Sequence, residues 1–160
     1  PCGYFHHPEK PCTCKPYQVD RYLHRISGPL LDRIDMHLEV FPLKYPEMFN
    51  AKASESSSSI RERVIMARET QKERFHKHNA IRTNAEMNSE QVKVVCKLDF
   101  VSSSLLQNAI ERLQLSARAH DRILKMARTI ADLANSSTIQ AKHVAEAITY
   151  RNLDRENWSG

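Results

Sequence analysis

Three cysteines and two histidines fall within the opening segment of the chain, which reads PCGYFHHPEKPCTC. Zinc in proteins takes four ligands in a tetrahedron, and thiolates combined with an imidazole are a common set. Cys2, Cys12 and Cys14 are therefore candidate metal ligands, with His6 as the candidate fourth ligand and His7 beside it. The C-x-C pair is tighter than the usual two-residue spacing, so a group of reduced thiols on an irregular loop is the alternative.

A single arginine between two acids is the second candidate, in the stretch LLDRID that ends at Asp35. A guanidinium is always charged and can fork onto phosphate oxygens, so Arg33 suits a finger that reaches toward a γ-phosphate. The alternative is a structural ion pair with Asp32 or Asp35, because exposed ion pairs are commonplace. The residue types alone leave both interpretations open.

A third candidate lies in the stretch LSARAHDRILKMARTIADLA, where Arg118 falls in the first turn of a predicted long helix. Arg122, Lys125 and Arg128 follow it at helical spacing. An arginine that projects from the start of a helix could meet a nucleotide phosphate. Arginines on the polar face of an amphipathic helix are also common, which is the alternative.

Several catalytic motifs are missing from the sequence. Its glycines are Gly3, Gly28 and Gly160, so it has no phosphate-cradling loop of the G-x-x-x-x-G-K type. It also has neither H-E-x-x-H nor G-x-S-x-G. We therefore expect no complete catalytic centre in this polypeptide alone. Because the chain opens without an initiator Met, we expect it to be a fragment of a longer protein.

The charge of the chain is mildly basic and unevenly placed. The net charge is +5, and residues 60–82 hold seven Lys or Arg against three Glu, whereas residues 1–59 are balanced. This segment could attract DNA phosphates, or it could be a solvated helix face. No apolar run approaches the roughly 20 residues that span a bilayer, and no signal peptide is evident, so we expect a cytoplasmic protein without a membrane partner.

The elements that must position these residues are predicted to be mainly α-helical. Residues 1–43 should hold the Cys-rich loop, short helices from Tyr17 and Leu30, and a short strand over 37–41. Residues 44–59 are serine-rich and predict a flexible linker. Residues 60–160 should form a helical bundle, with Cys96 as a buried free thiol.

Two helices of this bundle have predicted starts and faces. The first should begin at Ile60, capped by Ser59 with Glu62, and the last should be capped by Ser137 and Gln140. The predicted inner faces are, in order, Ile60, Val64, Ala67, Gln71 and Phe75, then Ala141, Val144, Ala145 and Ile148.

Three stretches together resemble the C-terminal part of the magnesium-chelatase-like AAA+ ATPases, within them the ComM-type competence proteins. They are PCGYFHHPEKPCTC, RYLHRISGPLLDRIDMHLEV and LSARAHDRILKMARTIADLANSSTIQAKHVAEAI. The resemblance implies the end of an AAA+ core over 1–43 and an AAA+ helical lid over 60–160. It also implies a hexameric, ATP- and Mg²⁺-using ring that remodels DNA, with the phosphate loop upstream.

The same resemblance implies roles for individual residues. Arg33 matches the arginine finger, which acts in trans on a neighbour's γ-phosphate. Arg118 matches the lid arginine called sensor 2. The cysteine cluster matches a family pattern in which a further Cys precedes the position of Pro1, so a structural Zn²⁺ is expected and its fourth ligand stays open. The alternatives are a metal-chelatase motor subunit, a stand-alone zinc and nucleic-acid-binding module, and a structural helical adaptor.

Overall fold

The computed structural model describes residues 1–40, 42, 54–78 and 80–151. Over these ranges the chain is helical and has no strand, which confirms the mainly α prediction. Its α-helices are α1 (Pro16–Leu23), α2 (Gly28–Leu31), α3 (Ser57–Arg74), α4 (Ser89–Val95), α5 (Phe100–Arg112), α6 (Ala117–Leu133) and α7 (Ala141–Thr149), with a 3-10 helix at Asn84–Glu86 between α3 and α4. None of the helices described is long and apolar enough to cross a membrane.

Helix α6 is the centre of the bundle, and it packs against α3, α4, α7 and the 3-10 helix. Its inner face repeats every fourth residue through Ala119, Ile123, Ala127 and Ala131, each at most 1% exposed. Three alanines in this stripe let neighbouring helices approach closely, and tight packing favours a rigid core. Cys96 lies in the same core, and burial raises the pKa of its thiol to about 11, which confirms a buried free thiol.

A buried carboxylate joins α6 to the elements that precede it. The side chain of Asp132 is fully buried and accepts hydrogen bonds from both terminal nitrogens of Arg74, at 2.5 and 2.8 Å. It also accepts from Asn84 Nδ2 at 2.8 Å and from Arg128 Nε at 3.0 Å. These contacts fix the end of α3 and the 3-10 helix against α6. They hold the bundle that presents Arg118.

The start of α3 differs from the prediction. The helix begins at Ser57, and its N-cap is Ser56, whose Oγ accepts from the Ser59 backbone N–H at 3.2 Å. Any of several consecutive serines can serve as an N-cap, so the sequence did not determine the position. The predicted inner face holds at Ala67, Gln71 and Phe75, which are buried, but Ile60 and Val64 are more than 40% exposed.

The start of α7 also differs. Gln140 is the N-cap and its backbone N–H donates to His143 Nδ1 at 3.1 Å, while the carbonyl of Ser137 accepts from Arg128. Ala145 is exposed and Ala147 is buried in its place. Val144 and Ile148 contact the core as predicted, and Ala147 takes the place of Ala145 because α7 must meet both α5 and α6.

The predicted strand and linker fall near or inside the undescribed ranges. Residues 37–40 form no strand in the part of the chain that the structure describes, and Phe41 lies outside that part. No extended segment pairs with 37–40 there; instead the His37 backbone N–H donates to the Tyr150 carbonyl at 2.8 Å. Most of the predicted linker, residues 44–53, lies outside the described residues, and its last three residues, 57–59, are instead the first turn of α3.

Candidate functional site

A short turn directly after α2 carries Arg33, and we call residues 32–35 the 32–35 turn. Its backbone is held by the N–H of Arg33, which donates to the Leu30 carbonyl at 2.9 Å, and by that of Ile34, which donates to Leu31 at 3.0 Å. Arg33 is exposed, and its Nη1 donates to the Pro29 carbonyl at 2.9 Å. The guanidinium therefore keeps most of its donors for a partner.

The two acids beside Arg33 pair with other arginines, from α6. Asp32 accepts from the Ser116 hydroxyl at 2.8 Å and lies 3.4 Å from Arg118 Nη1. Asp35 pairs with Arg122 one helical turn further along α6. The structural ion pair considered for Arg33 is therefore not the arrangement seen. The acids join the predicted core end to the predicted lid and leave Arg33 at the surface.

Arg118 lies where the sequence predicted it, in the first turn of α6. Ser116 caps this helix, because its Oγ accepts from the Ala119 backbone N–H at 3.1 Å. The side chain of Arg118 is 52% exposed, and its contact with Asp32 is loose at 3.4 Å. Arg118 can therefore exchange this carboxylate for a phosphate at small cost, since a half-exposed ion pair is worth at most about 1 kcal/mol.

Arg118 opens onto a cleft of about 620 Å³ along the start of α6. Three cations line it, Arg118, Arg122 and Lys125, and they face the acids Asp35 and Asp121. Lys125 Nζ donates to the Ala85 carbonyl at 3.0 Å, so the 3-10 helix forms the far wall. The cleft has the volume of a small-molecule site, and its three cations outnumber its two acids.

The three N-terminal cysteines form one cluster, as their spacing suggested. The sulfur atoms of Cys2, Cys12 and Cys14 all lie within 4.8 Å of one another, and those of Cys2 and Cys12 are 3.5 Å apart. Three sulfurs that share a zinc ion at about 2.3 Å are separated by somewhat less than 4 Å, so this grouping fits a thiolate metal site. The donor set and the spacing therefore suit zinc.

Backbone hydrogen bonds favour the thiolate form of one cysteine of this cluster. The N–H of Tyr4 donates to Cys2 Sγ at 3.4 Å, and such donors lower the pKa of Cys2 from 9.0 to about 6. The thiolate is the form that binds zinc. At neutral pH most Cys2 side chains would carry this charge.

Neither histidine joins the three thiols. His6 is exposed, adopts a positive φ of 58° and stacks edge-on with Phe5, outside the group of three sulfurs. His7 Nδ1 instead accepts the backbone N–H groups of Glu9 and Lys10, both at 3.1 Å. The prediction of His6 as the fourth ligand has no support from this arrangement and stays a prediction.

Several cations of the basic segment, residues 60–82, form ion pairs within the protein. Arg74 is engaged by buried Asp132, Arg63 forms a two-pronged pair with Glu55 at 2.7 and 2.9 Å, and Lys72 pairs with Glu69 at 3.3 Å. Three of the seven Lys and Arg side chains of residues 60–82 are therefore paired with acids of the same chain. Contact of this segment with DNA stays a prediction.

Sequence reasoning missed how the 32–35 turn is held. It treated Asp32 and Asp35 only as alternative partners for Arg33, and gave no role to Arg151 at the end of α7. Asp32 lies 84 residues before Ser116, and no local pattern reports a contact over such a distance. The useful signal was the regular spacing of Arg118 and Arg122, which places both on one face of α6.

The comparisons with known proteins agree with this layout. A family model described as "Magnesium chelatase, subunit ChlI" matches residues 1–48, and one described as "Magnesium chelatase, subunit ChlI C-terminal" matches residues 54–151. The two matches together cover the 32–35 turn, the thiol cluster and the helical bundle.

Two curated relatives align with most of the chain. YifB of Escherichia coli is 40% identical over 157 residues, which is 97% of this chain and 29% of YifB. The competence protein ComM of Haemophilus influenzae is 43% identical over 141 residues, which is 88% of this chain and 27% of ComM. The chain thus spans less than a third of the length of either relative.

Proposed function

The chain belongs to the magnesium chelatase ChlI-like family of AAA+ proteins, and we propose that it is the C-terminal part of an ATP-dependent ring that remodels DNA. It would supply the end of the ATPase core and the helical lid. Arg33 would act on the γ-phosphate held by a neighbouring subunit, and Arg118 would contact the nucleotide through the lid. The phosphate loop and the residues that hold Mg²⁺ would come from the rest of a longer protein in the cytoplasm.

The exposure of Arg33 is the observation that carries this proposal. Its neighbours Asp32 and Asp35 are both held by side chains of α6, so the guanidinium is presented at the surface by a supported turn. A buried or self-paired arginine could not reach another subunit. An exposed arginine on a fixed turn can do so without moving the bundle.

The chemistry that Arg33 would supply is electrostatic. Negative charge spreads over the γ-phosphoryl oxygens in the transition state of phosphoryl transfer, and a guanidinium placed there stabilises it. Arginine fingers raise kcat by about 10³ to 10⁵ in well-studied cases. In this chain the effect depends on Arg33 being oriented before the reaction, which its turn provides.

Arg118 would have a different role, because its contacts include an acid of the same chain. It lies at the mouth of the cleft and is paired loosely with Asp32. A phosphate entering the cleft would compete with Asp32 for the guanidinium and would favour a direct contact. Arg118 would therefore report phosphate occupancy to α6 and to the bundle around it.

The experiment that tests these roles uses the full-length protein. Arg33→Ala should lower ATP turnover by about 10³-fold or more while the affinity for nucleotide changes little, because a finger acts in the transition state. Arg21→Ala, at an exposed arginine on α1, is the matched control and should keep the parent rate. Loss of nucleotide affinity with no loss of kcat would contradict the finger. The isolated chain should show no Mg²⁺-dependent turnover.

The DNA part of the proposal rests on the resemblance to ComM-type proteins. We expect the full-length ring to bind DNA without sequence preference and with an affinity that falls steeply as salt rises. Binding to fluorescent duplex and branched DNA across ionic strength is the measurement. No binding even at low salt would contradict this part and leave the roles of Arg33 and Arg118 standing.

A second candidate follows from the family description itself. "Magnesium chelatase, subunit ChlI" names a protein that works in metal chelation, so this chain could belong to the motor of a metal-inserting enzyme. The two candidates differ in what stimulates ATP turnover. Stimulation by DNA supports the remodelling ring, and stimulation only by a porphyrin-binding partner subunit supports the chelatase motor.

The thiol cluster would hold a structural Zn²⁺. Cys2, Cys12 and Cys14 would be three of its ligands, and the metal would fold an opening loop that has little apolar surface of its own to bury. Its place in the chain, before α1, suits a stabilising role for the end of the core. His6 remains the proposed fourth ligand within this chain, although it would have to move toward the sulfurs.

A further inference from the structure

The 32–35 turn is held on one side by α2 and on another by the start of α6. The backbone N–H groups of Asp32, Arg33 and Ile34 donate to carbonyls of α2, and the side chains of Asp32 and Asp35 pair with side chains at the start of α6. These contacts leave the carbonyl of Ile34, the residue directly after Arg33, for a further partner.

One arginine from the far end of the bundle reaches this turn. Arg151, in the turn directly after α7, is 1% exposed, and its Nη1 donates to the Ile34 carbonyl. Its Nη2 lies 3.8 Å from Asp32 Oδ1. These contacts fall on the residues immediately before and after Arg33, so one guanidinium spans the finger on both sides.

The backbone reinforces this link at the adjoining residue. The Tyr150 carbonyl accepts from the His37 backbone N–H at 2.8 Å, so the chain on both sides of the contact is fixed. Burying an arginine is costly unless its charge and donors are matched. Arg151 meets a carboxylate and donates to a turn carbonyl, and both belong to the segment that presents Arg33.

We propose that Arg151 is a positioning residue for Arg33, holding the 32–35 turn so that the finger points toward the neighbouring subunit. The inference rests on the proposed function of Arg33. Arg151 itself touches no nucleotide, because it is buried within its own subunit. Since Arg151 follows α7 directly, a movement of the bundle is transmitted to the finger.

The size of the effect follows from geometry. A displacement of about 1 Å at a catalytic group can cost about 10²-fold in rate. Arg151→Met removes the donor and the charge while filling a similar volume, so kcat should fall by about 10- to 100-fold with little change in nucleotide affinity. Arg151→Lys keeps one donor and the charge and should retain an intermediate kcat.

The test measures single-turnover ATP hydrolysis and nucleotide affinity in the full-length protein, in four forms: parent, Arg33→Ala, Arg151→Met and the double variant. Arg112→Met, at an exposed arginine on α5, is the matched control and should keep the parent rate. A positioning residue acts through the finger, so Arg151→Met should add little to the defect of Arg33→Ala. Fully multiplicative losses, or loss of nucleotide affinity, would mean a general structural role and would overturn the proposal.

The outcomes separate this inference from the proposal it rests on. If Arg33→Ala keeps the parent rate, the proposed function of Arg33 fails. If Arg33→Ala abolishes turnover while Arg151→Met keeps the parent rate, only the positioning role of Arg151 fails. Thermal melting checks that the variants fold. Should Arg151→Met not fold, Arg151→Lys carries the test, and a parent-like kcat for that variant overturns the proposal.

Discussion

Replacing Asp132 should strongly lower the stability of the helical bundle. Its carboxylate is fully buried and accepts four hydrogen bonds, two from Arg74, one from Arg128 and one from Asn84. Asp132→Ala would leave the side chain of Arg128, which is 4% exposed, beside Arg74 without their shared counter-charge. Breaking a buried pair by removing one partner costs about 3–5 kcal/mol of the free energy of unfolding.

The remaining contacts place the expected value at the lower end of that range. Arg128 keeps the carbonyls of Ser136 and Ser137, and Arg74 keeps Asn84 Oδ1 at 2.8 Å. We therefore expect a loss of about 3 kcal/mol for Asp132→Ala. For Asp132→Asn, which keeps the shape but not the charge, we expect about 1.5–3 kcal/mol.

The contribution of Asp132 to the free energy of unfolding should fall as the pH becomes more acidic. Burial alone would raise the pKa of Asp132, but the hydrogen bonds from Arg74 and Asn84 and the charge of Arg128 outweigh it, so its pKa is lowered from 3.8. A lowered carboxyl pKa stabilises the fold fully above the unfolded value and less as pH falls below it. The stability difference between the parent chain and Asp132→Asn should be constant near neutral pH and shrink below about pH 4.

Urea unfolding of the chain followed by circular dichroism, at several pH values, is the assay. Glu69→Gln is the matched control, because Glu69 pairs with Lys72 at an exposed site and should contribute less than about 1 kcal/mol. A loss below about 1 kcal/mol for Asp132→Ala, or equal losses for Asp132→Ala and Glu69→Gln, would refute the reasoning from burial and pairing.

Three further predictions follow from the thiols and the core. Cys2, whose pKa is lowered to about 6, should react rapidly with a thiol reagent at pH 7, whereas Cys96, with a pKa of about 11, should react only on unfolding. Added Co²⁺ should give the thiolate charge-transfer absorption of a metal site, and Cys12→Ser should abolish or weaken it, while Cys96→Ala should not. Ile123→Ala, at a core position 1% exposed, should lower the free energy of unfolding by about 2–5 kcal/mol in urea.

Each of these has a result that would count against it. Equal reactivity of Cys2 and Cys96 in the folded chain would contradict the burial of Cys96 and the opposite pKa shifts of the two thiols. An absorption unchanged by Cys12→Ser would place the metal elsewhere. A loss below about 1 kcal/mol for Ile123→Ala would mean that α6 is not the centre of the core.

Helical periodicity predicted the bundle well because its physical cause is local. The apolar periodicity of α6 predicted a helix, and the structure shows which of its residues face inward, since Ala119, Ile123, Ala127 and Ala131 are buried. The serine run at the start of α3 offered several equivalent caps, so the boundary could not be fixed from sequence. The inner face of α7 depended on which two helices it meets, which is tertiary information.

The candidate site was predictable in its residue types but not in its pairings. Cysteine spacing gave the thiol cluster, since a short loop can bring its own ends together. The partners of Asp32 and Asp35 lie on α6, more than 80 residues away in the chain. Only the fold could decide whether those acids neutralise Arg33 or leave it available, and the answer determines the function proposed for it.

The central claim is that Arg33 acts on a nucleotide held by another subunit, and a mixing experiment tests it directly. Full-length Arg33→Ala subunits and full-length subunits unable to bind nucleotide are each inactive alone in the proposed mechanism. Mixed into one ring, the two should recover ATP turnover, because some interfaces pair an intact nucleotide site with an intact Arg33. Mixed rings that form normally and yet hydrolyse no more ATP than the separate variants would contradict the claim.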